Sequence, residues 1–191
     1  LHFDLGESYI TKVSVAQSIV EYLPRTFALT VATMAISICL ALPLGVVAAT
    51  HQGRWQDNLS MAFALVGISV PNFWLAMMLV IVFSVILNWL PPMGIGGLKY
   101  YILPAISGSL GGVAGLARQT RSSMLDVIRA DYITTARAKG VSEFKVITKH
   151  ALKNALIPTI TIIGTQFGRQ LGGTMVIETI FGIPGMGQYI I

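Results

Sequence analysis

Few residues in this chain could do chemistry, and their spacing limits what that chemistry could be. The three histidines, His2, His51 and His150, are far apart, and Cys39 is the only cysteine, set in an apolar run. That pattern supports neither a metal cluster nor a Cys/His nucleophile, and no thiolate site or disulfide framework can form within one chain. No GxxxxGK[ST] sequence occurs, so the chain holds no nucleotide through a P-loop. Arg169 stands out because it lies inside an otherwise apolar stretch, where a charge costs at least a few kcal/mol unless it faces water or a partner. With Gln166 and Gln170 beside it, Arg169 is a candidate for a polar strip along a pathway or for a structural pair. Glu178 falls near the end of the same stretch, where an interfacial acid is unremarkable.

A second kind of chemistry is mechanical, and it points to residues 131–158, DYITTARAKGVSEFKVITKHALKNALIP, the one long basic segment between apolar ones. Asp131 is placed to cap a short helix over Tyr132 to Lys139, which Gly140 would end in a left-handed conformation. After Val141, Ser142 can cap a second helix, with Glu143 in its first turn. On that helix Phe144, Ile147, Ala151 and Leu152 share an apolar face, while Lys145, Lys149 and Lys153 share a basic one. Two short helices broken at a glycine suit a structure lying along a membrane surface or docked against a partner.

The residues Thr134-Thr135-Ala136-x-x-x-Gly140, followed by Lys149-His150-Ala151-Leu152-Lys153-Asn154, resemble the EAA loop of ABC importer permeases. The form is that of the dipeptide, oligopeptide and nickel branch. Further matches lie at Leu23-Pro24-Arg25-Thr26, at Pro43-Leu44-Gly45-Val46 and at Glu178-x-x-Phe181-x-x-Pro184-Gly185-x-Gly187, so the resemblance covers nearly the whole chain. Thr134 and Thr135 stand where the motif's name calls for Glu and Ala, a departure common in that branch.

The resemblance implies an all-α, polytopic type I ABC importer transmembrane fold and a chain that is not itself an enzyme. It implies a second permease subunit, two cytoplasmic ATPase subunits that hold ATP and magnesium, and an extracytoplasmic solute-binding protein. Thr134, Thr135, Ala136, Gly140, Val141, Ser142 and His150 would then form an ATPase-coupling loop. Ala136 and Gly140, one turn apart, would allow close approach to the ATPase groove. Glu178 falls in a motif beside the external gate. Peptide is the expected cargo, with nickel or another small solute as the alternative.

Composition supports a membrane setting. Of 191 residues, 54% are hydrophobic and 11% charged, against about a quarter charged in soluble domains. Eight of the thirteen Lys and Arg fall between Arg118 and Lys153, which fits cytoplasmic loops better than nucleic-acid binding. Charge-free or nearly charge-free stretches predict four spans, near 26–50, 59–88, 101–117 and 155–177, the first long enough to cross a bilayer, which takes roughly 20 residues. Leu1 to Leu23 reads as an interfacial helix, Pro43 as a kink, and Pro71 as a bend that leaves Asn72 near freed carbonyls.

The basic stretch 118–154 is expected on the cytoplasmic side of a bacterial inner membrane, and residues 1–191 as one permease domain. The chain opens on Leu rather than Met, and the family has six spans, so one span is expected before Leu1 and one after Ile191. Gly108, Gly111, Gly112 and Gly115 predict close packing inside the chain. Gly164, Gly168 and Gly172 form a smooth stripe that fits packing, a subunit interface or a pathway wall. A secondary transporter would need intramembrane acids or broken helices around a midplane site, and a scaffold would use the basic loop to hold anionic lipid.

Overall fold

Long apolar stretches without charges must satisfy their own backbone groups, and the chain does so with helices. The computed structural model describes residues 5–8 and 12–190, and among them there is no β-strand beyond an isolated bridge between Glu7 and Ser14. In order, the helices are α1 (Val15–Thr50), α2 (Trp55–Ser69), α3 (Asn72–Leu79, continued by a π-helical segment Val80–Ile86), α4 (Lys99–Ile128) and α5 (Asp131–Ala138). Then come α6 (Glu143–Lys145, continued by a π-helical segment Val146–Ala151), α7 (Leu152–Gly173), α8 (Met175–Phe181) and α9 (Met186–Tyr189).

Several boundaries differ from those expected. The proposed interfacial helix is, from Val15 onward, the start of α1, which runs unbroken through Pro24 and Pro43 to Thr50. A proline inside a helix removes one hydrogen bond, and this helix is long enough to carry both. The second apolar stretch breaks at Pro71: Val70 is extended, at φ −83° and ψ 121°, as a residue before proline prefers, and Asn72 opens α3. Helix α4 does not stop where apolarity stops but continues past Ala117 through Arg118 and Arg121 to Ile128, because backbone hydrogen bonding is indifferent to side-chain polarity. The stretch 118–154 is therefore helical over its first third. The fourth predicted span is two helices, divided after Gly172-Gly173, with Thr174 between α7 and α8.

By length and apolarity, α1 and α4 could each cross a membrane, and α2 with α3 would make a third if counted as one broken span. Helix α7, carrying Lys153, Arg169 and several glycines, does not meet the same criterion.

The chain divides into two units. One comprises residues 1–33, 73–108 and 169–191, and its core joins Leu29, Ala76, Leu103, Ile177, Phe181 and Ile183. The other comprises residues 34–72 and 109–168. Its first core cluster holds Met34, Ala41, Ala64, Val113, Leu116 and Ala117. There Gly45 sits against Ala117 and Thr120, where an added Cβ would come within 2.7 Å of the Ala117 carbonyl oxygen, so glycine alone permits this approach of α1 and α4. The second cluster, Ala49, Met124, Ile133, Ala136, Val146, Ala151 and Ala155, joins the ends of α1 and α4 to α5 and α6.

Candidate functional site

The glycine break between α5 and α6 has a specific backbone form. Gly140 has φ +77°, its N–H donates to the Arg137 carbonyl at 2.9 Å, and the Val141 N–H donates to the Ala136 carbonyl at 3.3 Å. This is the Schellman arrangement, in which a left-handed residue closes the last turn and its successor reaches back five residues. Val141 packs on the cluster that contains Ala136, completing the cap with an apolar contact. A Cβ on Gly140 would meet nothing within 4 Å, so conformation rather than space selects glycine here.

At the other end of α5, Ala130 rather than Asp131 occupies the N-cap position, and no side chain caps the helix. Asp131 sits in the first turn, where its charge complements the helix dipole. Ser142 is the N-cap of α6 by backbone geometry, also without a side-chain bond.

Which side of this loop faces out differs from the expectation in two places. Ala136, expected on the exposed joint, is buried at 8% exposure with Ile133 against the second core cluster. Phe144, expected on the buried face, is 77% exposed, and Val146 is buried in its place. Phe144 lies in α6, before the π-helical segment Val146–Ala151, whose wider winding brings Val146 and Ala151, five residues apart, both onto the core. Tyr132, Thr134, Thr135, Arg137, Ser142 and Phe144 are exposed, and His150 is half-buried.

Arg137 and Glu143 bridge the break with two hydrogen bonds, Nε to Oε2 at 3.1 Å and Nη2 to Oε1 at 2.8 Å. Those bonds from the guanidinium hold the Glu143 carboxyl below its ordinary range. Asn154 donates to the Tyr132 hydroxyl at 2.9 Å and to the His150 carbonyl at 3.0 Å, fixing the start of α7 to α5.

The remaining candidates are dispersed. Arg169 is exposed and, among the described residues, makes no hydrogen bond or ion pair. Gln170 donates to the Gly108 carbonyl at 3.1 Å, and the side chain of Gln166 lies against Gly112 together with Ser37. The polar strip expected around Arg169 therefore has two members committed to helix packing. Among the described residues, an added Cβ at Gly164, Gly168 or Gly172 would meet nothing within 4 Å. Gly108 and Gly112 do face packed neighbours, whereas Gly111 and Gly115 do not.

His51 Nδ1 lies 3.0 Å from the Thr50 hydroxyl and, as a donor, 3.1 Å from the Val47 carbonyl oxygen, and His2 lies outside the described residues. Among the described residues no three His, Cys, Asp or Glu side chains converge as a metal site would require.

Two polar clusters were not legible. Glu178, read as an interfacial acid, is fully buried. Its Oε1 accepts from Thr26 at 2.7 Å and Thr174 at 2.8 Å, and its Oε2 accepts from the Gln188 N–H at 3.2 Å. Thr26 also accepts from the Met186 N–H at 2.8 Å, and Arg25 donates to the Pro184 carbonyl at 3.0 Å. Gly185 and Gly187 pass so close to the carboxyl that a Cβ on either would come within 3 Å of it. The signal available in the sequence was an acid in an apolar stretch followed by Pro-Gly-x-Gly. The second cluster pairs buried Asp57 with Arg121 through two bonds of 2.7 Å, and Asp57 also accepts from the Gly53 N–H at 3.0 Å.

Comparison with known proteins places this arrangement. A peptide transport system permease protein of Brucella abortus (strain 2308) is 46% identical over 198 aligned residues, covering 100% of this chain and 63% of the relative. The glutathione transport system permease protein GsiC of Escherichia coli (strain K12) is 44% identical, covering 98% of this chain and 61% of the relative. The chain thus spans a little over three fifths of the length of these relatives.

Among solved structures, the MetNI methionine ABC transporter in inward-facing conformations is similar at a TM-score of 0.74 with 18% identity, over 92% of this chain and 81% of that one. The fold is that of a type I ABC importer transmembrane subunit. The family described as binding-protein-dependent transport system inner membrane component matches residues 41–191, and the chain belongs to that family.

Proposed function

We propose that this chain is part of a permease subunit of an ATP-driven bacterial importer of di- and oligopeptides, and that residues 131–153 couple it to ATPase subunits. The relatives named for peptide and glutathione transport favour peptide over nickel as cargo. The observation that carries the coupling role is the Schellman-capped break at Gly140, with α5 buried on one side through Ile133 and Ala136 and exposed on the other. Tyr132, Thr135 and Phe144 offer an aromatic and polar surface to a groove, and aromatic side chains of this kind anchor protein interfaces.

A push on that outer surface passes through Ile133, Ala136 and Val146 to Ala49 of α1 and Met124 of α4, because a close-packed core transmits displacement rather than absorbing it. ATP and magnesium belong to the ATPase subunits. A second permease completes the pathway, an extracytoplasmic solute-binding protein delivers cargo, and membrane lipid surrounds α1, α2 with α3, α4 and α7. The basic stretch supports a loop on the cytoplasmic face of a bacterial inner membrane.

The test is the ratio of peptide taken up to ATP hydrolysed by the reconstituted full-length complex. Gly140→Arg, which forces a side chain into a left-handed backbone, should lower that ratio at least tenfold while the protein still inserts. An unchanged ratio removes the coupling role.

A further inference from the structure

From Lys145 onward one helical face changes character abruptly. Lys145, Lys149 and Lys153 recur every four residues and are exposed, and among the described residues none forms an ion pair. The nearest acid in sequence, Glu143, is already engaged by Arg137. Beginning one turn beyond Lys153, the exposed large apolar residues are Ile157 and Ile160, at 65% and 62% exposure. The opposite face, Ala151, Ala155 and Thr159, is buried, so the orientation of the helix is fixed by its core. The bonds from Asn154 to Tyr132 and to the His150 carbonyl hold its start in place.

We infer that Lys145, Lys149 and Lys153 form a binding face for the phosphate headgroups of anionic phospholipid in the cytoplasmic leaflet, with Ile157 and Ile160 against the acyl chains. The inference rests on the reading that α7 enters the bilayer. The axial distance from Lys153 to Ile157 is about 6 Å at 1.5 Å per residue, which a lysine side chain spans, so the ammonium reaches the headgroup level while its stem covers apolar surface. A water-soluble partner could neutralise the lysines but would leave the two isoleucines facing water. A bilayer of neutral lipid would cover the isoleucines and leave three charges without counterparts. An anionic leaflet satisfies both, and each lysine near such a surface strengthens attraction about fivefold.

The experiment uses the full-length chain purified with its partner subunits and exchanged into nanodiscs of equal phosphatidylglycerol and phosphatidylcholine. Lipid that stays bound after detergent extraction is quantified by mass spectrometry. Wild type should retain phosphatidylglycerol in several-fold preference. The triple variant Lys145→Gln/Lys149→Gln/Lys153→Gln should lose at least fivefold of that preference, and the corresponding triple Lys→Arg variant should keep it.

Equal preference in wild type and the glutamine variant overturns the inference. So does loss of the ATPase subunits from the glutamine variant with lipid retention unchanged, which would assign the face to protein contact. If wild type itself brings down no ATPase, the importer reading fails, while the lipid ratio still decides this face.

Discussion

The hydroxyl of Thr26 donates to the carboxyl of Glu178 at 2.7 Å across 152 residues of sequence. The same hydroxyl accepts from the Met186 N–H, so one threonine ties α1 both to the acid on α8 and to the start of α9. With Thr174 and the Gln188 N–H also bound to Glu178, the segment after α8 is folded around a buried carboxyl as well as onto the apolar core that Ile183 joins.

Truncating the acid should therefore cost more than losing its charge. Glu178→Ala leaves the Thr26 and Thr174 hydroxyls without their acceptor, at about 1–3 kcal/mol for each buried group left unsatisfied. Glu178→Gln keeps one acceptor oxygen and should lie between wild type and Glu178→Ala. Thermal unfolding of the purified protein gives the order, and equal midpoints for the two variants would contradict the cage.

Gly185→Ala should also destabilise, by about 1–3 kcal/mol, because the added methyl would sit 2.5 Å from a carboxyl that three donors hold in place. The double variant Gly185→Ala/Glu178→Ala should lose less than the sum of the two single losses, since truncating Glu178 opens the space that the methyl needs. A cycle in which the two effects simply add would show that the glycine is required for another reason.

For Asp57 and Arg121, removing either partner strands a buried or half-buried charge. The expected cost is about 3 kcal/mol, toward the lower end for buried pairs because Arg121 retains partial exposure. A double-mutant cycle on unfolding midpoints measures the pair, and a coupling energy near zero would show that the two bonds contribute nothing net.

The Arg137–Glu143 pair gives a pH dependence with a defined sign. The Glu143 carboxyl is held low in the folded loop, so its contribution is present above the unfolded carboxyl range and is lost as pH falls through the folded one. The pair is exposed, and its worth is below about 1 kcal/mol. The stability difference between wild type and Glu143→Gln should therefore be small at neutral pH and vanish on acidification. A difference that grows as pH falls would contradict the assignment.

Much of the loop could be read from residue types, because its devices are local. A glycine after a helical stretch, a serine restarting the chain and a proline breaking an apolar run each act on their own backbone, and Gly140, Ser142 and Pro71 are found where they were expected. What was not legible depends on distance or on winding. Thr26 and Glu178, and Asp57 and Arg121, meet only through the tertiary fold. Val146 turns inward with Ala151, five residues on, because the chain there winds as a π-helix, which a 3.6-residue pattern cannot anticipate. The ends of α1 and α4 ran beyond the apolar stretches because polarity marks where a membrane would end, not where a helix does.

The coupling role is tested most directly by position-specific cross-linking in the reconstituted full-length complex. A cysteine at Thr135, on the exposed side of α5, should cross-link to the ATPase subunit, while a cysteine at Ile160, on the exposed face of α7, should not. Cross-linking from both positions alike, or from Ile160 alone, would contradict the seating of α5 on the ATPase and with it the central claim.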